Sequence, residues 1–188
     1  PEPLPDPTGT LTAESIAHVV AFLLPDNAIV VDEAISSAEP LGRHLLRAAP
    51  HDFLPVTGGS IGQGMPVAVG AAVACPDRAV IAMEADGSAM YTLQALWTMA
   101  RERLNVVTIV YNNRRYQILD VEMQRTGANG FGPAANTMID IGHPDIDFVK
   151  LSEGLGVPAT RATTVGALAT QLADALRRPG PRLIEAVL

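Results

Sequence analysis

The chain has 188 residues, of which 48% are apolar and 18% charged, and a net charge of −7. That length fits one domain with a single substantial core, and that composition excludes an intrinsically disordered chain. The acidic balance argues against a duplex nucleic acid or an anionic membrane as partner. A phosphorylated ligand would need oriented amides or a metal ion to offset the repulsion.

Pro1, Pro3, Pro5 and Pro7 alternate with other residues, a pattern that favours extended backbone. Residues 1–9 therefore read as an interdomain linker, with a disordered tail as the alternative, and the domain runs over 10–188. Thr10 or Thr12 can cap a helix near 12–24, with Ile16, Val19, Val20 and Leu23 on its apolar side. A β-branched run over 28–31 ends in Asp32 and predicts a strand. A helix over roughly 37–49 and a short strand around 53–56 come next. Gly58, Gly59, Gly62 and Gly64 then form a glycine-rich turn into a small-residue helix over 65–74. The remaining pattern predicts a strand at 79–83, a helix at 89–101 and a strand at 106–111. A variable stretch follows, then a helix near 146–154, a strand near 157–161, a helix near 165–177 and a last strand at 183–187.

Strands alternate with helices throughout, and runs such as Val106-Val107-Thr108-Ile109-Val110 are continuously apolar. That is the pattern of a parallel sheet covered on both faces, so the fold class is three-layer α/β/α with a mostly parallel sheet. Ligands in such sheets sit beyond the carboxyl ends of the strands, where the strand order reverses. Cys75 is the only cysteine. A disulfide framework and a cysteine-based zinc site are thereby excluded, and the reading is a reducing, cytoplasmic protein. No apolar run reaches membrane-spanning length.

The residues that carry chemistry stand at strand ends. Glu84-Ala85-Asp86-Gly87-Ser88 ends one strand and opens a helix, and Tyr111-Asn112-Asn113 ends the next. A carboxylate and a carboxamide at adjacent strand ends can face one crevice, and hard oxygen donors of this kind suit Mg²⁺. Gly87 permits a close turn, and Ser88 with the amides after it is a natural place for an anion.

Asp86-Gly87-Ser88 through Asn112-Asn113 resembles the motif of the thiamine-diphosphate-dependent enzymes, written Gly-Asp-Gly, about two dozen residues, then Asn-Asn. The motif's first glycine is Ala85 here, which matters only if that position needs a positive φ. Thr57-Gly58-Gly59-Ser60-Ile61-Gly62-Gln63-Gly64 resembles the glycine turn that precedes the motif in acetolactate synthases and benzoylformate decarboxylases. Asp32-Glu33-Ala34-Ile35-Ser36-Ser37 resembles a strand-end loop that adds diphosphate contacts. The resemblance covers about residues 10–188, the diphosphate-binding domain.

It implies that Asp86 and Asn113 give side-chain oxygens and Arg115 its backbone carbonyl to Mg²⁺. Ser88, the amides of Gly87 and Ala89, Ser36 and the amide of Ile35 would hold the diphosphate. The Gly59 carbonyl would meet the cofactor's aminopyrimidine, Ile61 would wedge between its two rings, and Tyr116 would border it. Ile118, Leu119 and Glu122 would border the substrate, although ordinary helix packing explains them nearly as well. The resemblance also implies a 2-oxo-acid substrate and, in the acetolactate-synthase case, a place in branched-chain amino-acid biosynthesis. The full-length protein would be a homodimer or homotetramer, with a flavin (FAD) as an option in a middle domain. The activating glutamate would lie on a separate pyrimidine-binding domain, so no catalytic residue is assigned here and the isolated chain is expected to be inactive.

Other readings stand beside these. Asp86 could be a helix cap and Asn112-Asn113 a turn. The alternative of another class is a non-catalytic or dinucleotide-binding module: a glycine turn before a helix suggests the latter, but the order Gly59-x-x-Gly62-x-Gly64 reverses the expected Gly-x-Gly-x-x-Gly. His18, His44, His51 and His143 lack metal-ligand spacing and read as surface or satisfied groups. Trp97 and Met99 read as core, and Arg114-Arg115 and Arg177-Arg178 as solvated charge pairs.

Overall fold

A computed structural model describes residues 6, 8–127 and 132–188 of the chain. Nine helices and six strands occur among the described residues: α1 Ala13–Leu23, β1 Ala28–Glu33, α2 Glu39–Leu45, β2 His51–Pro55, α3 Gly64–Ala74, β3 Val80–Ala85, α4 Asp86–Thr92, α5 Ala95–Glu102, β4 Val106–Asn112, α6 Gln117–Arg125, α7 Pro133–Ile139, α8 Phe148–Gly154, β5 Ala159–Ala162, α9 Val165–Arg177 and β6 Arg182–Val187. The strands form one sheet of order β2-β1-β3-β4-β6-β5, and every pairing is parallel. The predicted three-layer α/β/α class with a parallel sheet is what the chain adopts.

Alternation along the strands divides the core in two. Val30, Ile81, Met83, Ile109 and Ile184 face α1, α2 and α9, meeting Ile16, Val20, Leu41, Leu168 and Leu172. Ile29, Val31, Val80, Ala82 and Leu183 face the other way, against Met65, Ala68, Leu96, Met99 and Phe148. Both faces are covered, so β1 and β4 are buried along their whole length, whereas the edge strand β2 is largely exposed. The order reverses between β1 and β3, which creates a crevice at their carboxyl ends.

Local signals set most boundaries. Thr12 caps α1 by accepting from the Ser15 amide, and the Ser15 hydroxyl accepts from the Thr12 amide in return. Asp147 caps α8 at the Lys150 amide, which starts that helix at Phe148. Gly9 and Thr10 are tied to the start of α9 by the Val165 amide and a bridge to Thr164. Residues 1–5 and 7 of the expected linker lie outside the described residues.

Three expectations need correction. The helix expected over 89–101 is two helices, because i→i+3 bonds at Leu93 and Gln94 tighten the chain between α4 and α5. Trp97 is half exposed, with the Arg101 guanidinium 5.5 Å from its ring centre, since α5 turns Leu96 and Met99 inward and Trp97 away. The helix expected over 37–49 shortens to α2, preceded by a 3₁₀ turn at Ile35–Ser37. The variable stretch after β4 contains α6 and α7.

Candidate functional site

The loops after β1, β2, β3 and β4 meet at the crevice. A cleft of about 50 Å³ there is lined by Ile35, Ser36, Ile61, Ala85, Asp86, Gly87, Ser88, Asn113, Arg115, Tyr116, Gln117 and Ile118. Eleven of these, all but Gln117, are among the sequence's own candidates or their motif. Gly59, Ala89, Leu119 and Glu122 are not in the lining. Ala89 is buried in the core under α4, and Glu122 is paired with Arg125 on its own helix.

Asp86 begins α4 but does not cap it, since the N-cap is Ala85 and has no side-chain bond. Its Oδ1 instead accepts from the Gly87 amide at 2.8 Å and its Oδ2 from the Arg114 amide at 2.7 Å, so the carboxylate spans the ends of β3 and β4. Burial pushes the Asp86 carboxyl up, and the amides of Gly87, Arg114, Asn113 and Arg115 pull it back. Ala85 has φ −75° and ψ 148°, ordinary extended backbone. The motif's first glycine is therefore dispensable here on conformational grounds. Gly87 is not: a Cβ there would lie 2.5 Å from Cε1 of the Tyr116 ring.

After β4 the two asparagines separate in function. Asn112 is buried, and its Nδ2 donates to Glu185 on β6 at 2.7 Å. Asn113 turns toward the cleft, its Oδ1 accepting from the Arg115 amide at 3.0 Å and its Nδ2 meeting Gln117 Oε1 at 2.9 Å. Arg114 adopts φ 58°, and Tyr116 follows with φ −74° and ψ 66°, an inverse γ-turn in which the Gln117 amide donates to the Arg115 carbonyl at 2.8 Å. That carbonyl keeps a second lone pair. Arg114 and Arg115 are not merely solvated: the first bonds Asp145, and the second pairs with Asp120 and reaches Asn136. These pairs pin the turn. Arg177 and Arg178 both pair with Asp174 while staying mostly exposed, as expected of solvated charges.

Ile35 stands at φ 51°, a costly conformation for a β-branched residue. Such strain collects where geometry is required by function, and Ile35 with Ser36 lines the cleft. Asp32 stabilises the turn by accepting from the Ala34 amide at 3.0 Å. The histidines are satisfied groups: His44 Nε2 lies 2.7 Å from Glu14 and its ring stacks on His18 at 5.1 Å. Glu14 and His18 line a separate cleft of about 380 Å³ between α1 and α2.

Sequence reasoning passed over the carboxyl groups behind the site. Glu33, Glu84 and Glu185 are each at most 1% exposed. All three lie on strands that apolar residues announce, which marks the strands but not the burial of the glutamates. Burial first, then the neighbouring Glu33 and Asp32, push the Glu84 carboxyl well above the usual carboxylate range. Gln63 was also missed. Its side chain braces the glycine turn through the Thr57 and Ser60 carbonyls at 3.0 and 2.7 Å and the Thr57 hydroxyl at 2.7 Å.

Fold and site together define an α/β domain built to hold a ligand at the strand ends beside β1 and β3. Residues 37–186 match the family model for the thiamine pyrophosphate enzyme, C-terminal TPP binding domain, and the chain belongs to that family. A candidate acetolactate synthase large subunit, IlvX, from Mycobacterium tuberculosis is 52% identical over 183 residues, covering 97% of this chain and 36% of the relative. Benzoylformate decarboxylase from Pseudomonas aeruginosa is 34% identical over 191 residues, covering 98% of this chain and 35% of the relative. The solved structure of a thiamine-diphosphate-dependent 4-hydroxybenzoylformate decarboxylase from Rhodococcus jostii RHA1 superposes with a TM-score of 0.83 at 33% identity, over 98% of this chain and 34% of that one. The chain thus spans about a third of the length of these relatives. The dinucleotide reading gives way: the glycine turn leaves the edge strand β2, and the family is that of thiamine pyrophosphate.

Proposed function

We propose that this chain is the Mg²⁺ and thiamine-diphosphate site of a 2-oxo-acid carboligase or decarboxylase, of the acetolactate-synthase type. The observation that carries the reading is the Asp86 carboxylate, which bridges the tips of β3 and β4 beside the Asn113 carboxamide. A carboxylate, a carboxamide oxygen and a backbone carbonyl form the hard, oxygen-only donor set that Mg²⁺ prefers. The residues present fit the group. Asp86, Asn113 and the Arg115 carbonyl would hold the metal, and Ser88, Ser36 and the amides of Ile35, Gly87 and Ala89 the diphosphate. The Gly59 carbonyl and Ile61 would orient the ring end, with Tyr116 closing one wall. Ile118 and Leu119 would border the substrate, and Glu122, turned to Arg125, would do so only if α6 moves.

When bound, the cofactor would supply a nucleophilic carbon toward a 2-oxo acid and a sink for the charge left by loss of CO₂. The chain's own part is to bind, neutralise and aim. The 52% identity to the IlvX protein favours acetolactate synthesis over benzoylformate-type decarboxylation, the second reading that the 34% relative supports. The rest of the full-length protein would supply the activating carboxylate, an assembly of two or four subunits and, in the acetolactate case, an FAD site. The 188-residue chain alone would then turn over no substrate.

Titration of the full-length protein with thiamine diphosphate, with and without Mg²⁺, tests this reading. Asp86→Ala and Asn113→Ala are each expected to abolish Mg²⁺-dependent retention of the cofactor. Retention by Asp86→Ala with unchanged metal dependence would refute the assignment.

A further inference from the structure

The geometry points to Glu33 as a positioning residue that fixes the glycine turn carrying Gly59 and Ile61, and through it the ring end of the cofactor. This rests on the cofactor reading above.

Glu33 ends β1 and is fully buried. Alternation along β1 turns its side chain to the α3 face, the face of Ile29 and Val31. Its Oε1 accepts from the Gly62 amide and its Oε2 from the Gly64 amide, so one carboxyl group ties β1 to the loop between β2 and α3, 29 and 31 residues on. The glycines make this approach possible. A Cβ on Gly64 would lie 2.8 Å from both Cβ and Oε2 of Glu33, and one on Gly62 would lie 2.9 Å from the Tyr91 side chain. Gly62 also stands at φ +96°, open to glycine and strained for other residues.

Besides the Val56 amide, which donates to the Asp32 carbonyl at 2.9 Å where the chain enters the turn, few contacts set where the turn sits. Residues 57–60 are exposed, and a Cβ built on Gly58 or Gly59 meets nothing within 4 Å. The three bonds of Gln63 all run within the turn, to Thr57 and Ser60, so they fix its shape and not its place over the sheet. The Glu33 carboxyl is the side-chain tie between that shape and the strand end, two residues before the cleft-lining Ile35. Ile61 lies one residue before the first tied amide. A displacement of about 1 Å at a positioning group costs on the order of 100-fold in rate. Asp86, Asn113 and Arg115 belong to other loops, and the turn that carries Ile35 and Ser36 is held by Asp32 through the Ala34 amide, so loss of the Glu33 tie moves the ring contacts and leaves the metal and diphosphate contacts in place.

Glu33→Gln in the full-length protein separates these effects. Glutamine offers one acceptor and one donor where two amides need acceptors, so one amide loses its partner. With Mg²⁺ and thiamine diphosphate bound, the exchange of the cofactor's thiazolium C2 proton for deuterium is expected to slow by roughly 10–100-fold. Cofactor retention should change by less than about threefold, because no diphosphate or metal donor is touched. Unchanged proton exchange, or exchange and retention falling together, would overturn the proposal. A second measurement needs no variant. Residue-resolved amide exchange of the unmodified full-length protein should show Gly62 and Gly64 protected at least about 100-fold beyond Gly58 and Gly59. Equal exchange at the four glycines would overturn the proposal even if Glu33→Gln does not fold. A wild-type protein that retains no cofactor refutes the underlying reading instead, and leaves the amide result to decide the Glu33 tie by itself.

Discussion

Replacing Gly64 or Gly70 with alanine adds one methyl group to the same helix, α3, and the two changes should move stability in opposite directions. Neither glycine has a positive φ, so alanine can adopt both backbones. At Gly70, inside the helix, the new methyl meets nothing within 4 Å. Its effect is then the helix preference of alanine over glycine, a gain of about 0.5–1 kcal/mol. At Gly64 the methyl would overlap Glu84 Oε1 and lie 2.8 Å from Glu33 Cβ and Oε2. Glu33 cannot swing away without releasing the Gly62 and Gly64 amides, and Glu84 is enclosed between β1 and the helix start. Overpacking of this kind costs about 1–3 kcal/mol, and a buried amide left unpaired adds about 1–3 kcal/mol more. Relaxation and the alanine gain offset part of that, which leaves a net loss of about 2 kcal/mol at Gly64. For a chain of this size the loss corresponds to a Tm lower by about 4–8 °C, against a rise of about 1–4 °C for Gly70→Ala. Thermal and urea unfolding of the 188-residue chain and its two variants measures both. A Gly64→Ala protein as stable as its parent, beside a stabilised Gly70→Ala, would refute the picture of a carboxyl pair packed against bare backbone.

Two further predictions follow from the same geometry. Gly87→Ala should cost about 1–3 kcal/mol because its methyl meets the Tyr116 ring. Adding Tyr116→Ala should recover most of that loss, so a double-mutant cycle by thermal melts should show strong coupling and additivity would count against the contact. Asp32 gives a pH test: burial raises its carboxyl above the ordinary aspartate range, outweighing the Ala34 amide that lowers it. A folded-state value above the unfolded one means that the ionised form destabilises the fold at neutral pH, a cost that disappears as pH falls through the folded value. Asp32→Asn, which keeps an acceptor for Ala34, should therefore be more stable than wild type at pH 7, and the difference should shrink toward pH 4. Parallel stability–pH curves for the two proteins would contradict the shift.

Much of this molecule was legible in the chain because its signals are local. Apolar β-branched runs such as Ala28–Val31 and Val106–Val110 mark buried parallel strands, and Thr12, Asp147 and Thr164 each sit one residue before a helix they cap. The strand-end positions of Asp86 and Asn113 pointed to a shared crevice because neighbouring parallel strands place their carboxyl ends side by side. Other features depend on partners distant in sequence. That Asp86 bridges to the Arg114 amide instead of capping α4 is set by the β3–β4 register, and that Ala85 can replace glycine is set by its extended φ. Trp97 faces outward because α5 begins a new helix after the tight turn at Leu93, a break with neither Gly nor Pro to announce it.

The sequence by itself determined the alternation of strands and helices, the parallel sheet, and the residue types able to hold a metal and a pyrophosphate, since periodicity and donor chemistry are properties of the chain. Tertiary structure alone decided how Glu33, Glu84 and Glu185 are enclosed at the strand ends, and that Glu33 reaches across to Gly62 and Gly64. A glutamate in a sequence carries no mark of burial. Its surroundings exist only once strands and helix starts from separate parts of the chain have closed over it.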